Sequence, residues 1–130
     1  MTAKKPIQTN QAPAAIGPYS QAIEVTAPAR FVFVSGQIPL DPATGSLVSG
    51  DIKAQTERVL LNVKAILDDQ KLTFANVVKS TVFMINLADF AGMNEVYAKY
   101  FTADFPARST IQVAALPKGA SVEIEVIAHF

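Results

Sequence analysis

The sequence predicts an α+β fold, a sheet covered on one face by two helices, in the order β-β-α-β-α-β-β. Three observations carry this. Two segments, 51–70 and 90–101, place apolar residues at helical spacing. Several short β-branched and aromatic runs are bounded by Gly, Pro, Asn and Asp. The last run, Ser121–His129, alternates so that Val122, Ile124, Val126 and Ala128 share one face. Two helices can cover only one face of such a sheet, so the other needs a cover from elsewhere.

Residues 1–18 read as irregular, with a short strand at Ile7–Thr9, and Ile16-Gly17-Pro18-Tyr19 as a turn. Tyr19–Val25 and Arg30–Gly36 read as strands, with Thr26-Ala27-Pro28-Ala29 as a hairpin connection between them. Asp41–Gly45 is a turn. Asp51 caps a helix whose stripe is Ile52, Thr56, Val59, Val63, Ile66 and Leu67, ending near Gln70. Val77–Ile85 is a strand. Asp89 is positioned to cap a helix over Phe90–Phe101, where Phe90, Met93, Tyr97, Tyr100 and Phe101 recur at helical spacing. Ser109–Ala114 and Ser121–His129 are the final strands, joined through Leu116–Gly119.

The 130 residues fit one domain, 1–130, large enough to bury a core. Eleven basic and eleven acidic residues cancel, which leaves no basic footprint for nucleic acid or a membrane surface. Cysteine is absent, which removes disulfides and thiolate nucleophiles. No apolar run approaches a membrane span and the N-terminus lacks a signal core, so the expected location is the cytoplasm, or the mitochondrion in a eukaryote. Mean hydropathy is +0.27, apolar for a small domain, which points to a subunit interface.

The candidate chemistry lies in the last quarter. Arg108, one of three arginines, heads a strand, where its planar fork can grip a carboxylate. The same placement suits an interface salt bridge, and spacing does not separate the two. Glu123 and Glu125 share the face opposite Val122 and Ile124, together with Ile127 and His129. Either carboxylate could act as a general base, or both could be interface groups. Tyr19 follows Gly17-Pro18 and could close a pocket wall, or sit in the core. Ser35-Gly36-Gln37 ends a strand with a step that permits close backbone approach, or a bulge. One histidine and no cysteine leave no metal-ligand spacing, and no phosphate-binding loop is present. The bare sheet faces are expected to associate into a ring with sites at the seams.

Ala14-Ala15-Ile16-Gly17-Pro18-Tyr19-Ser20-Gln21-Ala22, Val34-Ser35-Gly36-Gln37-Ile38-Pro39, Phe105-Pro106-Ala107-Arg108-Ser109, Val113–Gly119 and Val122-Glu123-Ile124-Glu125 together resemble the RidA (YjgF) family, from about Ile7 to Ala128. The resemblance implies a chorismate-mutase-like mixed sheet and a homotrimer with clefts between subunits. It implies 2-iminobutanoate/2-iminopropanoate deaminase activity, hydrolysing 2-aminoacrylate, 2-aminocrotonate and their imines to 2-oxo acids and ammonia. It implies no metal or organic cofactor. Carried over by motif, Arg108 binds the substrate carboxylate and Glu123 activates water. Tyr19, Ser35 and Gly36 line the pocket, the Thr110 backbone orients the ligand, and Asn94 borders the cleft. Glu125 is expected to be structural. The Arg-x-Cys of many bacterial relatives reads Arg108-Ser109-Thr110 here. Two other readings stand beside it: an endoribonuclease or translation inhibitor, and a non-catalytic sensor of small carboxylates.

Overall fold

The computed structural model of the chain describes residues 4–26 and 30–130. Its strands are β1 (Lys4–Ile7), β2 (Ala22–Val25), β3 (Phe31–Gln37), β4 (Val77–Met84), β5 (Ala107–Gln112) and β6 (Val122–His129), and its helices α1 (Ile52–Asp69) and α2 (Phe90–Tyr100). The main sheet runs β3-β6-β4-β5, with β4 and β5 parallel and the other pairs antiparallel. The parallel pair exists because α2 carries the chain back across the sheet between β4 and β5.

The two central strands are the most regularly apolar. In β4, Ser80, Val82 and Met84 are buried while Thr81 and Phe83 are half-buried. In β6, Val122, Ile124, Val126 and Ala128 are buried, as their alternation predicts. These meet Val59, Leu60, Val63 and Leu67 of α1 and Met93, Val96 and Tyr97 of α2 in one core. The helices approach closely at Gly92, where a Cβ would lie 2.8 Å from the Ile52 side chain.

Asp51 caps α1 as expected, its carboxylate accepting from the Ala54 N–H at 3.0 Å. The helix buries Leu60 and Gln55 beyond the expected stripe. Gln55 is satisfied there because its side-chain oxygen accepts from the Ser121 N–H at 2.9 Å.

Four expectations need correction. The first strand is Lys4–Ile7, not Ile7–Thr9. Strands β2 and β3 do not form a hairpin: β2 pairs with β1, where Lys5 faces Glu24, and β3 pairs with β6. The apolar Phe31–Val34 run gains more by lying against Val126–His129 than against the short, half-exposed β2. The connection at Ala27–Ala29 lies outside the described residues. Asp89 makes no capping bond, because Asn86 caps a preceding 3-10 turn instead, accepting from the Ala88 N–H at 2.9 Å. Finally, His129 is only 2% exposed and does not share the openness of its face. Its Nδ1 lies 2.8 Å from the Phe130 carbonyl oxygen.

The face of the sheet away from the helices is bare in one chain. Phe33 is 73% exposed there, with Phe31 and Ile111 also exposed and Glu125 between them. Among the described residues no helix is long and apolar enough to cross a membrane.

Candidate active site

Side-chain alternation divides the candidate residues into two groups. Arg108 and Thr110 of β5 stand opposite Ser80 and Val82 of β4, whose side chains point toward the helices. Glu123 and Glu125 of β6 stand opposite Phe83 and Thr81, which point away. Residues of odd and even register lie on opposite faces of a sheet. Within one chain, therefore, Arg108 and Glu123 are separated by the sheet itself.

The Arg108 group is enclosed. Phe90, Asn94 and Tyr97 recur at helical spacing, so one face of α2 presents all three to the guanidinium. Nη1 of Arg108 donates to the Asn94 side-chain oxygen at 2.7 Å. The guanidinium carbon lies 4.7 Å from the Tyr97 ring centre, 5.3 Å from Tyr19 and 5.6 Å from Phe90. Such ring faces attract a cation without neutralising it. Among the described residues the ion pairs are Lys53–Glu95 and Lys64–Asp68, so Arg108 has no carboxylate partner. Burial lowers the Arg108 pKa, with Tyr97 and Tyr19 opposing the shift. A guanidinium nevertheless stays protonated in proteins. In front of it opens a cleft of about 280 Å³, lined by Ile16, Gly17, Tyr19, Phe90, Asn94, Arg108 and Thr110.

Tyr19 is held in place by the chain on either side of it. The Ser20 N–H donates to the Pro106 carbonyl at 2.8 Å, and the Ser20 hydroxyl to the Phe105 carbonyl at 2.5 Å. Ser20 also bridges Ala107 in parallel. The segment 16–20 is thus tied to the residues that lead into Arg108. The loop before it is folded by Gln21, which accepts from the Thr9 N–H at 2.7 Å and donates to the Pro13 carbonyl at 2.6 Å.

The second group is open. Ser35, Gly36 and Glu123 lie together, where β3 bulges between Val34 and Gln37. A Cβ at position 36 would overlap the Glu123 carboxylate, so the glycine is what lets this side chain lie across β3. Glu123 is half-buried and Glu125 exposed. Ser35 and Glu125 line a shallow depression with Phe33 and Ile127.

The structure thus brings Arg108, Tyr19, Asn94 and Thr110 to one cleft, and Ser35, Gly36 and Glu123 to another surface. Helical spacing alone places Tyr97 in the apolar stripe of α2 and gives no sign of Ser80. The spacing of Phe90, Asn94 and Tyr97 was the available signal, because it puts Tyr97 on the same helix face as the pocket residue Asn94.

Comparison with known proteins agrees with this architecture. Residues 9–130 match the family described as Endoribonuclease L-PSP. Protein DfrA of Myxococcus xanthus is 56% identical over 97% of this chain and 95% of its own length. The 2-iminobutanoate/2-iminopropanoate deaminase of Bos taurus is 50% identical over 96% of this chain and 89% of its own. The crystal structure of YyfA from Yersinia pestis, of the conserved Rid protein family, superposes with a TM-score of 0.75 at 50% identity, covering 98% of this chain and 100% of that one. By sequence match, identity and fold, the chain belongs to the endoribonuclease L-PSP family, the group also called RidA or YjgF.

Proposed function

We propose that this chain is a 2-iminobutanoate/2-iminopropanoate deaminase, working as a homotrimer whose sites lie between subunits. The observation that carries the reading is Arg108: a partly buried guanidinium, ringed by aromatic faces, bonded to a neutral amide and lacking any carboxylate partner among the described residues. Such a cation keeps its fork available for the carboxylate of a small 2-imino acid. Relatives with about half of their residues identical bear the deaminase name.

The chemistry needs little beyond positioning. Substrate carboxylate binds Arg108, which fixes the imine carbon at the cleft. Glu123 of a second subunit accepts a proton from water as the water oxygen attacks the carbon of the protonated imine, whose C=N electron pair moves to nitrogen. The resulting carbinolamine carries the former imine nitrogen as an amine. That nitrogen takes up the proton held by Glu123, the C–N bond breaks, and ammonia departs. The carbinolamine hydroxyl loses its proton as the carbonyl of the 2-oxo acid forms. Holding the reactants together and supplying a base are each established sources of rate. Tyr19, Asn94 and the Thr110 backbone shape the carboxylate side, and Ser35 and Gly36 shape the water side.

The same facts support assembly. The exposed Phe31, Phe33 and Ile111 on the bare sheet face support burial against another copy. That contact would carry the Glu123 surface of one chain to the Arg108 cleft of its neighbour. An RNA substrate finds less support, since the cleft holds a single cation and the lone histidine, His129, is buried in β6.

The test is a coupled assay in which a threonine dehydratase generates 2-aminocrotonate and its imine in situ. Release of 2-oxobutanoate should accelerate with the wild type and not with Arg108→Ala. No acceleration by a folded, trimeric wild type would reject the reading in favour of a carboxylate sensor. Sedimentation should give a trimer, and a stable monomer would reject the shared site.

A further inference from the structure

Three of the five orphaned buried polar side-chain atoms among the described residues gather at one guanidinium. They are the hydroxyl oxygens of Ser80, Tyr97 and Thr110. Ser80 faces Arg108 across the β4–β5 ladder, and Thr110 lies two residues along the same face. Buried hydroxyls without a partner are uncommon in folded proteins, and several at one place call for an explanation.

Tyr97 links Ser80 to Arg108. It is fully buried, and its ring stacks on Phe101 at 4.2 Å with the planes 16° apart. Phe101 in turn packs edge-on against Phe74 at 4.9 Å. The ring is therefore fixed by packing, and of the three rings around Arg108 it is the nearest. Its hydroxyl interacts with both Ser80 and Arg108, in a geometry looser than a full hydrogen bond to either. Burial pushes the Tyr97 pKa up to about 12, so at neutral pH the hydroxyl remains protonated. It can donate to Ser80 while accepting from Arg108.

We propose that Tyr97 and Ser80 are positioning residues for the carboxylate anchor, the Tyr97 ring supporting the guanidinium and the Tyr97–Ser80 hydroxyl pair fixing its orientation toward the bound carboxylate. This rests on the reading of Arg108 as that anchor. The physical point is the choice of neutral supports. A carboxylate at position 80 or 97 would orient the guanidinium equally well, but would also occupy its fork and cancel its charge. A ring face and a hydroxyl restrict it and leave its charge for the substrate.

The experiment compares wild type with Tyr97→Phe, which keeps the ring stack, and Ser80→Ala, which removes only an oxygen. In the trimeric protein, the Arg108 Nε–H resonance is assigned by its loss in Arg108→Ala. Its exchange with water should quicken about tenfold in Tyr97→Phe and severalfold in Ser80→Ala, because the guanidinium loses the hydroxyl pair that restrains it. In the coupled assay KM should rise about tenfold while kcat stays within about twofold. The double variant should be no worse than Tyr97→Phe alone, since the two hydroxyls act as one unit. Wild-type exchange rates in both variants would overturn the inference. So would an unchanged KM in Tyr97→Phe, or strictly additive losses in the double variant. If the wild type shows no turnover but the exchange difference persists, the support of Arg108 by Tyr97 and Ser80 stands and the deaminase reading is what fails.

Discussion

The Arg108 cleft and the Glu123 surface differ in how they are made. The cleft is finished within one chain. A helix face, a strand and the 16–20 segment converge on the guanidinium, and hydrogen bonds from Ser20 and Asn94 fix the pieces. The Glu123 surface is a carboxylate laid over a glycine on a bare sheet, with exposed phenylalanines nearby. On the proposed reading the anchor is a product of folding, and the water-activating side would be completed by assembly. A site divided in this way has an activity that depends on protomer concentration and a carboxylate-binding step that need not.

The largest expected effect tests the finished half. Arg108→Ala should lower kcat/KM by about 10³-fold, because a buried carboxylate would be left without its cation. The oligomeric state should be unchanged, since Arg108 faces the helices and not the bare sheet. Steady-state kinetics beside sedimentation reads both. Loss of assembly in this variant would erase the distinction between the two regions. Glu123→Gln should come next, with kcat lowered by about 10²-fold and KM little changed, the signature of a lost general base. A raised KM with normal kcat would move Glu123 to the binding side.

Gly36→Ala sharpens the open half. The added methyl would meet the Glu123 carboxylate, and the displaced base should lower kcat by about tenfold. The same variant should bind 2-oxobutanoate as the wild type does, measured by calorimetry, because the methyl is on the face away from Arg108. Weakened product binding would mean that the two faces are not independent.

The sequence disclosed these two regions unequally. Binary alternation in β6 fixed which way Glu123 points, and the helical stripes fixed what covers the other face. The register between β5 and β4 was not legible, because it depends on where α2 returns the chain. With it went the knowledge that Arg108 and Glu123 occupy opposite faces. Pairing of β2 with β1 was missed for a related reason: partners far apart in sequence leave no local signal, whereas the short 26–29 connection invites a hairpin reading. Tyr97 was hidden by its double role, since a side chain fully buried in the core also supports the guanidinium.

The smallest departure from wild-type activity is the most discriminating. Arg108→Ala and Glu123→Gln subunits can be unfolded together in equal amounts and refolded as mixed trimers. If each site takes Arg108 from one subunit and Glu123 from its neighbour, half of the positions on each side are intact. About one quarter of the sites should then hold both groups, restoring roughly a quarter of wild-type activity from two nearly inactive proteins. A site contained in a single chain can never be repaired this way, because every subunit carries one lesion. Recovery near a quarter would show that the sheet divides the catalytic groups and that association reunites them. Activity no greater than the mean of the two parents would return both groups to one chain, against their placement on opposite faces of the sheet.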